Sequence, residues 1–292
     1  MMGVLAGIED GVGVDLRECE AFVGTSAGAI VAAHLAAGNP PRRPSSLSTE
    51  LSVADARGRP GAAGAVAGLA TVAVGAARRA GTSALAASTA FAPLALGLAT
   101  PGGAAVRALM LRGVPHPADT LASLRQSVAA SSARFDGRLR VSAGDRGNGR
   151  RVMFGGPRAP AAEVAEAVEA SCAVPWLFAP VRIGGREYVD GGVWSPTNLD
   201  AAPVGRDTHV LCLNPTASLA ASHPLLAMMR TVARSAASVE ALALRGRGAR
   251  VQTLAPNAEC ARAMGANFMA TEPRTRVVSA GYRQGLQIAA AD

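Results

Sequence analysis

The sequence predicts an α/β protein in which helices cover a largely buried, mostly parallel sheet. Short apolar runs typical of buried strands alternate along the chain with longer stretches of helix-forming residues. Hydrophobic residues make up 49% of the 292 residues, which is enough to bury a core, and only 3% are aromatic. We therefore expect a three-layer sandwich packed through alanine and glycine, with residues 1–292 forming a single domain.

The first forty residues predict a helix, a strand, a tight turn and a second helix. The first helix includes residues 3–9 and ends near the glycines at positions 11 and 13. The apolar residues 21–23 predict a buried strand. Residues 29–37 are uninterrupted helix formers, and Gly38 with the prolines after it ends that helix.

An alanine- and glycine-rich segment at about residues 60–112 interrupts this pattern, and before its terminal Arg112 only Arg78, Arg79 and Arg107 carry charge. Its prolines and glycines argue against a membrane-spanning helix. We expect an insertion or cap, and two interpretations stay open. The segment forms a surface that meets lipid, with the three arginines near anionic head groups, or its helices complete the core.

The second half of the chain predicts two hairpins followed by further strands and helices. Residues 139–142 and 151–154 flank a glycine-rich turn, and a helix follows at 161–170. Residues 181–183 and 186–189 flank Gly184-Gly185, a pair suited to the positive φ angles of a type I′ turn. The remaining predicted elements are a strand at 208–213, a helical stretch to about 244, a strand at 251–254 and a helix from about 274.

Charge and cysteine content narrow the classes of function. The net charge is +8, but all 29 basic residues are arginine and they are scattered, so we expect no nucleic-acid partner. The four cysteines lie far apart, which predicts reduced thiols and neither a disulfide framework nor a metal site. The first residues lack the basic start of a signal peptide, which predicts a cytoplasmic protein, with peripheral membrane contact as an alternative.

The pentapeptide Gly24-Thr25-Ser26-Ala27-Gly28 is the first candidate for chemistry. A serine between a strand and a helix, flanked by glycines two residues away on each side, is typical of a nucleophile elbow. The glycines remove Cβ atoms that would clash there, and the Ala27 N–H is a natural donor to an oxyanion. The alternative is an ordinary glycine-rich turn.

A serine nucleophile needs a base, and the sequence offers two kinds. The order of the α/β-hydrolases would use His209 or His223, but that fold places several strands before its elbow. Asp190 ends a predicted strand and is followed by Gly191-Gly192, which allow a tight turn beside the carboxylate. In a dry pocket such a carboxylate can accept the serine proton directly. The alternative is an ordinary Asp-Gly turn.

Together these motifs resemble the patatin-like phospholipase family. The resemblance extends over residues 3–38 around the elbow and residues 167–202 around the Asp-Gly-Gly. It implies a lipid acyl hydrolase in which Ser26 attacks an acyl ester, an acyl-enzyme forms, and Asp190 completes a dyad without histidine. It implies a lipid or acyl-ester substrate and no metal or cofactor. It does not specify acyl chain, head group or oligomeric state.

One part of the family pattern does not appear in the sequence. The family has a strand and a glycine-rich oxyanion loop before its first helix, whereas residues 3–9 here already resemble that helix. We therefore expect the sequence as given to begin downstream of the loop. The alternative function that this suggests is a non-catalytic or impaired lipid-binding member of the family.

Overall fold

A five-stranded sheet forms the centre of the computed structural model, which describes residues 1–46, 103–114, 117, 119–218, 224–265 and 274–291. Its strands run in the order β1, β2, β5, β4, and β3 pairs with β2. Their bounds are β1 Phe22–Thr25, β2 Leu139–Asp145, β3 Arg151–Phe154, β4 Val181–Ile183 and β5 Arg186–Asp190. The predicted α/β fold class is confirmed.

The pairing of the strands brings two predicted site segments together across β2. β1 runs parallel to β2, with Thr25 beside Ser142. β5 runs antiparallel to β2, with Asp190 beside Ala143. Because Ser142 and Ala143 are consecutive, the end of β1 and the end of β5 lie at the same level of the sheet.

The antiparallel strand pairs of this chain include the two predicted hairpins, whereas the parallel pairs join strands that are distant in the sequence. The two predicted hairpins form the antiparallel pairs β2–β3 and β4–β5. Gly184 and Gly185 have φ angles of 55° and 78°, as the type I′ prediction requires. Parallel pairing, which the sequence predicts for most of the sheet, joins β1 to β2 and β6 (His209–Leu213) to β7 (Arg250–Leu254).

Eight helices of the described residues surround these strands. They are α1 Met2–Val12, α2 Ala27–Ala36, α3 Gly103–Gly113, α4 Ala122–Ala130, α5 Val164–Cys172, α6 Pro224–Arg245, α7 Ala258–Met264 and α8 Arg274–Ala289. α4 and α7 were not predicted. Helices α2 and α5 pack on each other and on the sheet, where Leu139, Val141 and Ala143 of β2 are fully buried, and α4 packs on both helices. This layer is the main core.

A smaller core lies beside β6 and β7. It contains Leu199, Cys212, Ala241, Leu244, Ala249 and Val251, contributed by the loop after β5, the two strands, α6 and the turn between α6 and β7. Leu211 and Leu213, also on β6, pack against the main core instead. β6 thus has neighbours in both cores.

Helices α1 and α8 contact each other through glycine. A Cβ atom added at Gly7 would lie 2.2 Å from the Tyr282 carbonyl oxygen, and one added at Gly285 would lie 2.3 Å from the Val4 carbonyl oxygen. No side chain larger than hydrogen fits at either position without moving a backbone. The small residues expected from composition therefore allow this close approach.

Part of the predicted 60–112 insertion can be compared with the structure. Residues 60–102 lie outside the described residues, and α3 covers the rest of the segment. Leu109 on α3 is 74% exposed, whereas Arg107 is only 3% exposed. The prediction that Arg107 meets anionic head groups is wrong. Its Nε donates to the Gly149 carbonyl, and its guanidinium lies 4.2 Å from the centre of the Trp194 ring.

Among the helices that the structure describes, none combines the length and the apolar character needed to cross a membrane.

Candidate active site

Ser26 occupies a strained turn between β1 and α2. Its φ and ψ angles are 53° and −124°, a region that residues with a Cβ rarely adopt and that costs about 1–3 kcal/mol. The Ser26 N–H donates to Oγ of Ser171 at 2.8 Å, which helps to hold the turn. Strain at a serine between a strand and a helix is the geometry of a nucleophile elbow.

The two glycines of the pentapeptide differ in their surroundings. A Cβ atom at Gly24 would lie 2.4 Å from the Ala29 Cα, so the close packing of β1 on α2 requires glycine there. No described atom lies within 4 Å of a Cβ built on Gly28. Ala27, between Ser26 and Gly28, is exposed. The space over the first turn of α2 is therefore open among the described residues.

Asp190 ends β5 with a buried carboxyl group. The residue is 2% exposed, and its Oδ1 accepts a hydrogen bond from the Gly192 N–H at 2.7 Å. Burial raises the pKa of Asp190 to about 6, and the Ser26 side chain and the Gly192 N–H oppose that rise. Its Oδ2 makes no hydrogen bond of normal geometry with the described residues. Ser26 and Asp190 are therefore neighbours whose side chains make no hydrogen bond of normal geometry with each other.

The glycine after Asp190 lets the following turn lie directly on β2. A Cβ atom at Gly191 would lie 2.4 Å from Oγ of Ser142. The turn continues as a short 3₁₀ helix over Gly191–Val193, capped by the Asp190 carboxylate. One role of Gly191 is therefore steric, as expected, whereas Gly192 contributes its N–H.

The C-terminal end of α5 contacts both candidate residues. Ser171 accepts from the Ser26 N–H, and the Ala173 carbonyl accepts from the Asp190 N–H at 2.9 Å. Burial raises the pKa of the Cys172 thiol well above its usual range, the nearby Asp190 charge raises it further, and the Ser26 hydroxyl opposes the rise. Cys172 is therefore a neutral thiol beside the pair.

Asn198 links the elbow to the loop after Asp190 and was not predicted as a site residue. It is fully buried, and its amide nitrogen donates to Oγ1 of Thr25 at 3.0 Å and to the Gly191 carbonyl at 3.3 Å. Arg151 donates to its Oδ1 at 3.2 Å. The signal available in the sequence was an asparagine a few residues after Asp-Gly-Gly, and nothing local points to its partners.

The remaining predicted groups have simpler surroundings. The Ala27 N–H has no acceptor among the described residues, as a donor at the start of a helix can. His34 contacts the Pro40 carbonyl, His209 is exposed at the start of β6, and the other two histidines lie outside the described residues. In the described part of the chain, no group of His, Cys, Asp or Glu side chains could hold a metal ion.

Comparison with known proteins decides the family. The family model for patatin-like phospholipase matches residues 1–203, more than half of the chain. The chain belongs to the patatin-like phospholipase family. The match contains both Ser26 and Asp190 and ends just before β6. A search of curated proteins found no match to this patatin-like chain. Membership indicates hydrolysis of lipid acyl esters as the activity of the family.

Proposed function

We propose that this chain hydrolyses acyl esters of lipids, with Ser26 as nucleophile and Asp190 as general base. The observation that carries the proposal is a serine in a strained elbow beside a buried carboxyl group whose pKa is raised to about 6. A base with that pKa is mostly ionised at neutral pH and still basic enough to accept a proton.

The reaction proceeds in two halves. Asp190 accepts the proton of the Ser26 hydroxyl while Oγ attacks the ester carbonyl carbon. The protonated carboxyl then gives its proton to the departing alcohol, which leaves an acyl group on Ser26. In the second half Asp190 takes a proton from water as the water oxygen attacks the acyl carbonyl carbon. The protonated carboxyl then returns that proton to the departing Oγ of Ser26, which releases the fatty acid and restores the serine.

The negative charge of the tetrahedral intermediate needs hydrogen-bond donors. The Ala27 N–H at the start of α2 is one such donor, and the positive end of the helix dipole favours negative charge there. Among the described residues nothing lies close over Gly28, which leaves room for the substrate on this side. Metal or cofactor chemistry is not part of this mechanism.

Labelling with a fluorophosphonate tests the nucleophile without a choice of substrate. We expect the full chain to be labelled, and Ser26→Ala and Asp190→Asn each to lose more than 99% of the labelling rate, because the two groups act as a unit. Ser132→Ala is the matched control, since Ser132 also has a positive φ, of 56°, but is exposed in a turn. Labelling that survives Ser26→Ala would reject the assignment.

Turnover of a chromogenic fatty-acyl ester separates catalysis from binding alone. We expect turnover to be lost in the same two variants and kept in Ser132→Ala. Binding of lipid vesicles without turnover or labelling would support a non-catalytic member of the family instead.

A further inference from the structure

A cavity of about 670 Å³ lies between β2, β3, β5 and the loop after β3. Four of its lining residues are arginines, Arg140, Arg151, Arg158 and Arg186, and no lining residue is acidic. Neither Ser26 nor Asp190 lines it. Its volume is within the range of small-molecule sites, about 300–1,000 Å³.

Two of the arginines are neutralised by aspartates outside the cavity lining. Arg151 forms an ion pair with Asp200 at 2.6 Å, and Arg186 forms one with Asp145 at 3.0 Å. Ion pairs of this kind leave those guanidinium groups little net charge to offer a ligand. The positive charge of the cavity therefore comes from the other two arginines.

Arg140 and Arg158 have no carboxylate partner among the described residues. Within the described residues, the only hydrogen bond of the Arg140 side chain runs from Nη1 to the Ala201 carbonyl at 3.3 Å. Its Nε–H is buried and has no acceptor in the described part of the chain. A buried N–H without an acceptor is unfavourable, and a ligand oxygen can relieve it. Arg158 is exposed on the loop at the cavity wall.

We propose that this cavity binds a phosphomonoester. Such a group carries about −1.5 to −2 charges at neutral pH, which matches the two unpaired guanidinium groups. The planar fork of arginine also fits phosphate oxygens with paired hydrogen bonds. Two kinds of ligand carry this group: a free phosphate compound and the head group of a lipid such as phosphatidic acid. The proposal does not depend on the catalytic assignment.

Two binding measurements on the full chain distinguish these sources. Calorimetric titration with inorganic phosphate tests the free compound. Flotation with phosphatidylcholine vesicles, with and without phosphatidic acid, tests the head group. We expect saturable binding in at least one measurement, and Arg140→Gln and Arg158→Gln each to weaken it by tenfold or more. Arg182→Gln is the control, because Arg182 has a 72% exposed side chain and does not line the cavity. It should change affinity less than twofold.

The results of the two binding measurements either identify the source of the phosphate group or reject the proposed site. Loss of phosphate binding in the two variants supports a free phosphate compound. If the two variants lose binding only to the vesicles that contain phosphatidic acid, the ligand is the lipid head group. If Arg140→Gln does not fold, as its melting curve would show, the exposed Arg158→Gln decides. Absence of saturable binding in both measurements, or equal affinity of Arg158→Gln and the unchanged protein, would overturn the proposal.

Discussion

Asp190 gives the candidate site a defined dependence on pH. A general base must be deprotonated to act, and burial raises the pKa of Asp190 to about 6. We expect kcat/KM for a chromogenic ester to rise tenfold per pH unit below that value and to level off above it. The pH profile of initial rates measures this. A midpoint above pH 7 that is lost in His209→Ala would favour a histidine base instead.

The same carboxyl group should lower the stability of the fold at neutral pH. A group whose pKa rises from 3.8 to about 6 on folding favours the folded state while protonated, and this stabilisation disappears as pH rises through about 6. The charged form then costs about 3 kcal/mol. We expect Asp190→Asn to be inactive but more stable than the unchanged protein at pH 8, by about 2–3 kcal/mol, with little difference at pH 4.

Asp145 provides the matched comparison for this prediction. It is also buried at the end of a strand, but its carboxylate pairs with Arg186 and accepts from the Gly147 and Asn148 N–H groups. Asp145→Asn should therefore destabilise the fold by about 1–3 kcal/mol. Denaturant unfolding at pH 4 and pH 8 measures the free energy of unfolding of Asp190→Asn, Asp145→Asn and the unchanged protein. Equal or lower stability of Asp190→Asn at pH 8 would contradict the assigned burial cost.

Asn198 is a positioning residue in our account, because it contacts Thr25 and Gly191 but acts through Ser26 and Asp190. Asn198→Asp keeps the shape and loses the amide donors. We expect kcat to fall about 10- to 100-fold with KM nearly unchanged, since a small displacement of reacting groups is costly.

A second substitution tests whether the contact with Thr25 matters. Thr25→Val removes the acceptor, and its effect should not add fully to that of Asn198→Asp, because both variants break the hydrogen bond between Asn198 and Thr25. Thr25→Ser keeps the hydroxyl and should restore most of the rate. Unchanged kcat in Asn198→Asp, or a purely additive double variant, would show that the contact does not position the site.

At the scale of elements, the α1–α8 contact depends on glycine. A methyl group at Gly7 would lie 2.2 Å from the Tyr282 carbonyl oxygen and 2.9 Å from the Gly285 Cα, so the helices must separate. We expect Gly7→Ala to reduce the free energy of unfolding by about 1–3 kcal/mol, as overpacking does. Denaturant unfolding followed by circular dichroism measures this loss.

Gly113 at the end of α3 is the control for the helix contact. No described atom lies within 4 Å of a Cβ placed there. Gly113→Ala should be neutral or stabilise by up to about 1 kcal/mol, because alanine favours helix more than glycine does. If Gly7→Ala were as stable as Gly113→Ala, the two helices would not need their close approach.

At the scale of the molecule, residues beyond the family match support the site. Glu240 on α6 accepts from Oγ1 of Thr197 at 2.6 Å and from the Leu199 N–H at 2.8 Å, on either side of Asn198. α8 covers the glycine face of α1. A chain that ends at residue 203 would lose both supports and expose Leu199.

We expect such a shortened chain to bind the dye ANS and to unfold without a cooperative transition, because part of its core is uncovered. Addition of a fragment containing residues 204–292 should restore a transition, which tests whether the loss comes from the missing contacts. A chain ending at 203 that melts cooperatively at the temperature of the full chain would contradict this. The assignment of residues 1–292 to a single domain stays a prediction.

The sequence alone determined the fold class, the order of most elements and the two candidate residues. These depend on local patterns: apolar runs for strands, glycine after helices and in hairpin turns, and Gly-x-Ser-x-Gly between a strand and a helix. Such patterns act within a few residues, so they can be read without partners. Helices α4 and α7, of nine and seven residues, are short, lacked a strong local signal and were missed.

Only the tertiary structure decided what surrounds those residues. Asn198 meets Thr25 across 173 residues of chain, and Ser171 meets Ser26 across 145. Arg107, which one of the two interpretations of residues 60–112 placed near lipid head groups, is buried against Trp194 because α3 packs on the β2–β3 turn. The register of β1 and β5 on β2 determines which distant side chains become neighbours. A contact between distant residues depends on that pairing, and no local pattern in the sequence contains it.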